Sequence, residues 1–203
     1  MARPIIAIDI DEVLAEYATE FVKFSNERWG THLTVEDYSE NWSQVWQITH
    51  NETMERSKHI YKPDEGVYGR LTPVIGADEA LRKLREEFDI VLVTSRPLLV
   101  EQETRAWLEQ HYSSLVTDIY FAGMYDGDVT DYSFLRTKSS VYSQIKPKFV
   151  IDDQPKHCLA ATDLGIHAIL FGNYPWNQDV NDSSLITRCH DWNEVLHHIA
   201  LHS

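Results

Sequence analysis

The stretch Pro4-Ile5-Ile6-Ala7-Ile8-Asp9-Ile10-Asp11-Glu12-Val13-Leu14 decides how this chain folds. Its first half is continuously apolar, as in a strand covered on both faces, and it stops at a carboxylate. A strand over Pro4 to Ile10 therefore sets Asp9 and Asp11 at one edge of a sheet. The same pattern recurs further on: Ile90 to Val93 ends at Thr94, and Phe149 to Ile151 ends at Asp152. Strands are also expected near Val116 to Phe121 and over His167 to Phe171. Between them, 3.6-residue spacing predicts helices from Tyr17 to Trp29-Gly30, from Gly76 past Leu81 and Leu84 to Phe88, and around Glu101 to His111. Further helices are expected over Thr137 to Gln144, Lys156 to Leu164 and Trp192 to Leu201. Residues 15–75 read as mostly helical with no strand, with a capping box at Thr34 and Asp37 and a helix capped by Asn51 running to about Tyr61. The alternating order predicts a three-layer, Rossmann-like α/β fold around a parallel sheet. Residues 1–14 and 76–203 form its core, and 15–75 form a small helical cap inserted after the first strand.

Composition narrows the function. A chain of 203 residues with 43% hydrophobic and 25% charged residues is an ordinary globular protein with one core and an insertion. A formal net charge of −14 argues against a nucleic-acid polymer as partner, because proteins that neutralise phosphates cluster Lys and Arg. No apolar run approaches the ~20 residues of a membrane span and none near the amino terminus resembles a signal peptide, so a cytoplasmic protein without membrane contact is expected. Cys158 and Cys189 have no metal-type spacing and read as reduced thiols.

In a parallel α/β sheet, ligands bind beyond the carboxyl ends of the strands. The residues just after the strands are Asp9 and Asp11, Thr94 and Ser95, Asp152 and Asp153. Four carboxylates this close repel one another unless a cation sits among them, and an oxygen-seeking ion such as Mg²⁺ meets that need. A cation for an anionic substrate can come from Lys138, Lys146 or Lys148. Lys148 begins the strand ending at Asp152 and so lies ~13 Å away at the opposite edge. Lys138 opens the preceding helix, which runs antiparallel and returns its start to the carboxyl edge at ~1.5 Å per residue.

Asp9-Ile10-Asp11-Glu12-Val13-Leu14, Val93-Thr94-Ser95-Arg96, Lys138 and Ile151-Asp152-Asp153 resemble, in order, the four motifs of the haloacid dehalogenase-like (HAD) superfamily. Within it, Leu71-Thr72-Pro73, Gly76-Ala77, Glu79-Ala80-Leu81 and the insertion after the first motif are similar to the 5′(3′)-deoxyribonucleotidase group. The resemblance implies a Mg²⁺-dependent phosphohydrolase in which Asp9 attacks phosphorus and Asp11 acts as acid and then base. It also implies Thr94, Ser95 and Lys138 as phosphate-binding residues. Asp9, Asp11 (through its carbonyl) and Asp152 would be metal ligands, with Asp153 joining them through water. The substrate would be a small phosphorylated metabolite such as a nucleoside monophosphate. Sugar or other small metabolite phosphates are the alternative, and a catalytically silent binding protein is a third reading, opposed by the intact motifs. Glu12 departs from the pattern, since many relatives carry Gly there.

Taken singly, each residue has a plainer reading: Asp in a turn, Thr94 as a cap, Lys138 as solvated charge. Arg96 could touch the substrate, but it reads at least as well as a surface residue. The aromatics Tyr17, Phe21, Phe24, Trp29, Trp42 and Trp46 suit a cap core better than a base-stacking surface. His198 and His202, without a carboxylate partner, fit a solvated last helix. The loop Tyr125 to Ser133, with Asp126, Asp128 and Asp131, lacks the Glu that would complete a calcium loop.

Overall fold

A computed structural model describes residues 3–63, 65–122, 137–180 and 183–202. The loop around Asp126, Asp128 and Asp131 lies outside them. Six parallel strands, β1 (Ile5–Ile8), β2 (Asp89–Thr94), β3 (Asp118–Phe121), β4 (Phe149–Asp152), β5 (His167–Phe171) and β6 (Ile186–Cys189), form one sheet in the order β3-β2-β1-β4-β5-β6. This is the doubly wound order, and its direction reverses between β1 and β4, where such sheets open a crevice. β6 has no counterpart in the expected strands. It is an edge strand of four residues, Ile-Thr-Arg-Cys, in which only Ile186 and Cys189 are buried, too short to show a period.

Alternation along the strands sorts the core into two layers. Ile6, Ile8, Leu92, Phe149, Ile151 and Ile169 pack on one face with α4 (Ala77–Glu87), α5 (Glu101–Tyr112) and α8 (Trp192–His202). Ala7, Val91, Val93, Val150, Ala168 and Leu170 face α6 (Lys138–Ile145) and α7 (Pro155–Thr162). Both sheet faces are thus covered, as the unbroken apolar runs require.

The insertion carries α1 (Tyr17–Trp29), a single 3₁₀ turn at Val35–Asp37, α2 (Trp42–Trp46) and α3 (His50–Ile60). Gly30 ends α1 at φ 63°, a left-handed position that costs glycine nothing. The Thr34/Asp37 capping box closes over the 3₁₀ turn, with Asp37 accepting from the Thr34 amide at 2.8 Å. One expectation needs correction. The cap of α3 is Thr49, paired with Glu52 in a capping box, and Asn51 lies inside the helix. Between α3 and α4 the described residues are not helical, and the return path is fixed by Glu16 N donating to Thr72 O, Val74 N to Leu14 O, and a bridge between Ala15 and Pro73.

Aromatic donors from the core clamp both crossings. Trp192 Nε1 donates to Val13 O at 3.0 Å, Tyr112 Oη to Leu14 O at 2.9 Å and Trp107 Nε1 to Leu71 O at 2.7 Å. Each is a neutral hydrogen bond worth ~1 kcal/mol, made by a buried ring that also fills the core.

Candidate active site

The register of the sheet builds the site. Ile8 pairs with Leu92 on one side and Ile151 on the other, so Asp9, Thr94 and Asp152 emerge from three adjacent strands at one edge. Asp9 N donates to Ile151 O at 2.9 Å, which holds the carboxylate against β4. Thr137 caps α6 by accepting from Ser140 N, and the helix that starts there delivers Lys138 to the same edge. Lys138 Nζ lies 2.8 Å from Asp9 Oδ2 and 2.8 Å from Asp152 Oδ2, with only 2% of the residue exposed. Lys148, exposed at the other end of β4, donates its amide to Ile5 O, and Lys146 ends α6.

Burial sets the electrostatics. It disfavours charge on Asp9, and although Lys138 opposes this, Asp152 and Asp11 add to it; the acid is pushed up to about 7. Burial, with Asp152 and Asp9 beside it, also holds Asp153 well above the carboxylate range. Lys138 remains an ammonium because Asp152 and Asp9 outweigh its desolvation. His157, at the start of α7, is driven down to about 3 by burial and by Lys138, so its imidazole is neutral. Asp9 Oδ1, Ser95 Oγ and His157 Nε2 are buried without a hydrogen-bond partner among the described residues.

Asp9, Asp152 and Asp153 each offer an oxygen within 4.8 Å of the others. Three hard oxygen donors, one of them orphaned, with two acids held at raised pKa, suit a divalent cation that would relieve their mutual repulsion. The Asp11 side chain is not in this group. It is 27% exposed and paired with Arg96, whose Nη2 donates to Oδ1 at 2.6 Å.

Several neighbours carry no signal in the sequence. Arg96 is a correction, since it is buried rather than on the surface. Asp153 Oδ2 accepts from Trp176 Nε1 at 2.6 Å and Gln154 Nε2 at 3.0 Å, and Gln154 N donates to Asp152 Oδ1 at 2.9 Å. Asn177 Nδ2 donates to Asp153 O at 3.0 Å. Glu12 takes φ 62°, the left-handed conformation that favours glycine, and spends its carboxylate on the start of α1, accepting from Ala18 N at 2.5 Å. Burial pushes it up to about 8.

The cleft above these groups has an aromatic wall from the insertion: Tyr17, Tyr38, Trp42, Tyr61 and Tyr68. Phe21, Phe24 and Trp46 are buried in the hydrophobic core, while Tyr17 and Trp42 line the cleft. Two contacts close one rim, an ion pair of Lys156 with Glu40 and Tyr38 packed edge-on to Trp176 at 5.3 Å.

A doubly wound sheet with carboxylates at its switch point, a lysine from the preceding helix and an insertion after the first strand defines the class of HAD-like hydrolases. Among solved structures, a haloacid dehalogenase-like hydrolase from Streptococcus pneumoniae superposes with a TM-score of 0.68 at 12% identity, covering 97% of this chain and 98% of that one. The D,D-heptose 1,7-bisphosphate phosphatase of B. bronchiseptica, solved with magnesium and phosphate, superposes at 0.55 with 14% identity, over 98% of this chain and 99% of that one. The chain belongs to the family described as 5′ nucleotidase, deoxy (pyrimidine), cytosolic type C protein, whose model matches residues 3–202. A Halalkalibacterium halodurans protein named provisionally as a nucleotidase is 27% identical over 104 residues, and the match spans about half the length of each chain (51% and 51%). Among the described residues no helix is long and apolar enough to cross a membrane.

Proposed function

We propose that this protein is a Mg²⁺-dependent phosphomonoester hydrolase acting on nucleoside monophosphates through an aspartyl-phosphate at Asp9, with residues 15–75 serving as its cap. One observation carries the reading: Asp9, Asp152, Asp153 and Lys138 meet at the switch point, directly under an aromatic wall. Asp9 attacks phosphorus, and as the P–O bond to the leaving group breaks, Asp11 gives its proton to the departing oxygen. Asp11 then takes a proton from the water whose oxygen attacks phosphorus, releasing phosphate and restoring Asp9. Lys138, Thr94 and Ser95 hold the phosphoryl oxygens where charge builds up. Asp9, Asp152, Asp153 and the Asp11 carbonyl would hold Mg²⁺, which neutralises charge on the phosphoryl group when bound. Tyr38, Trp42, Tyr61 and Tyr68 exclude water and offer flat faces to the leaving group.

The fold does not choose the ester, since a heptose bisphosphate phosphatase shares it. The aromatic wall favours a base over a polyhydroxylated sugar, because stacking a base is worth ~1–3 kcal/mol. Catalytic efficiency on the best nucleoside monophosphate should therefore exceed that on ribose or glucose phosphates by about tenfold or more. Equal turnover of sugar phosphates in a substrate panel would remove the nucleotidase reading.

Cation binding should also show in stability. An acid with a folded pKa above its unfolded value binds its proton more tightly when folded, so its contribution falls as pH rises between the two. For Asp9 that window runs from 3.8 to about 7, and for Glu12 from 4.5 to about 8. His157, depressed from 6.5 to about 3, works in the opposite sense below 6.5. Metal-free protein should thus lose stability from about pH 6.5 to 8. Mg²⁺ at ~100 times its Kd adds about 2.7 kcal/mol, or ~5–10 °C in Tm, for a domain of this size. The gain should be larger at pH 8 than at pH 5, where protons compete for the same oxygens. A thermal scan in which Mg²⁺ produces no shift, or the same shift at both pH values, would count against the carboxylate site.

A further inference from the structure

We infer that Arg96 is the positioning residue of Asp11, fixing the carboxyl that exchanges protons with leaving group and water. This rests on the hydrolase reading above and names a residue that the four motifs leave without a task. Arg96 is 1% exposed, and its guanidinium is held on several sides. Nε donates to both Asp11 oxygens at 3.1 Å, Nη2 to Oδ1 at 2.6 Å and Nη1 to Thr104 Oγ1 at 3.2 Å. The cation lies 5.0 Å from the centre of the Tyr68 ring and 5.9 Å from that of Trp107. Its backbone is fixed as well, with Arg96 N donating to Thr94 Oγ1 at 3.2 Å.

The alternative for a buried arginine in a phosphate site is a direct clamp on the phosphoryl group. The geometry argues against it. The fork is already filled by Asp11, its third nitrogen is spent on Thr104, and aromatic rings from the insertion and from α5 confine the guanidinium. Asp11, by contrast, sits on the turn after β1 with its side chain partly exposed in the cleft, where a carboxyl without a partner would sample several rotamers. Bidentate pairing removes that freedom, which matters because a misplacement of ~1 Å can cost 10²-fold in rate. Tyr68 belongs to the returning arm of the insertion, so the same arginine ties the acid–base group to the cap.

The test compares wild type, Asp11→Asn, Arg96→Met, Arg96→Lys and the double variant Asp11→Asn/Arg96→Met, all with Mg²⁺. Efficiency, kcat/KM, is measured on 4-nitrophenyl phosphate, whose leaving group needs little protonation, and on the nucleoside monophosphate that wild type hydrolyses best. Arg96→Met should lose about tenfold more on the nucleotide than on the aryl ester, as should Asp11→Asn, because both act on the same proton. Arg96→Lys, which keeps the charge but not the fork, should fall between wild type and Arg96→Met. The double variant should lie within about threefold of Asp11→Asn, since two residues acting as one unit are not additive. Equal losses on both esters, or losses that multiply in the double variant, would overturn the inference in favour of a phosphate clamp. Circular dichroism covers folding: loss of structure in both Arg96 variants but not in Asp11→Asn would assign the arginine to the core and also overturn it. A wild type that hydrolyses neither ester would sink the hydrolase reading itself.

Discussion

Asp9→Asn is expected to reduce turnover by at least about 10⁴-fold while leaving the fold in place, as removal of a nucleophile does elsewhere. The amide keeps the size of the side chain and cannot attack phosphorus. The second half of this expectation separates a nucleophile from a structural carboxylate. Asp9 is buried, one of its oxygens has no partner among the described residues, and its acid is raised to about 7 even though Lys138 stands 2.8 Å away. At pH 8 the metal-free wild type therefore holds a charge that the folded state disfavours, and an asparagine lifts that burden. Lys138 keeps Asp152 as its counter-charge. The variant should melt higher than wild type at pH 8 without metal, and should gain less from added Mg²⁺. This is the trade expected where a site is built for chemistry at the expense of stability. Residual activity above a few per cent of wild type would remove Asp9 from the nucleophile's place, and a lower Tm at pH 8 would show that its ionised form stabilises the fold.

What the sequence makes legible follows from local rules. Strands buried on both faces are written as unbroken apolar runs, so β1, β2, β4 and β5, and the polar residues ending the first three, can be found without tertiary information. Direction then separates Lys138 from Lys148, because a helix and the strand after it must run antiparallel. Side chains that reach the site from afar leave no such trace. Arg96 faces Asp11 across 85 positions, and Trp176 reaches Asp153 from an irregular loop with no periodicity. The path that returns from α3 to the core is tied down by bonds to residues distant in sequence, such as Trp107 Nε1 on Leu71 O, 36 positions away, which leave no periodic trace. Glu12 is a third case. Its sequence context marks the position as unusual, but only the fold shows that the carboxylate meets the start of α1, in return for a strained φ.

Lys138→Ala is the other change with a large expected effect, and it acts on stability and rate together. Lys138 is the ammonium between Asp9 and Asp152, both buried. Removing one partner of a buried ion pair leaves uncompensated charge and costs ~3–5 kcal/mol, which corresponds to roughly 6–20 °C in Tm for a domain of this size. Asp9, whose acid is already pushed up to about 7 by burial, can lessen that cost by taking up a proton, so the loss should be smaller at pH 5 than at pH 8. Saturating Mg²⁺ should recover part of it at pH 8 by supplying positive charge to the same oxygens. Activity should not recover with stability. On the proposed mechanism the cation at the phosphoryl oxygens is then gone, and removal of one such electrostatic contact costs ~10²–10³-fold in kcat. Lys148→Ala is the control: the side chain is exposed, its ammonium lies 5.6 Å from the Phe149 ring centre, and the amide that bonds Ile5 O is untouched. Its effect on stability should stay within about 0.5 kcal/mol, with turnover unchanged. Paired measurements of Tm and kcat decide the matter. If Lys138→Ala keeps more than about a tenth of wild-type kcat once Mg²⁺ has restored its stability, the lysine is a structural counter-ion and the phosphoryl group is held by other residues.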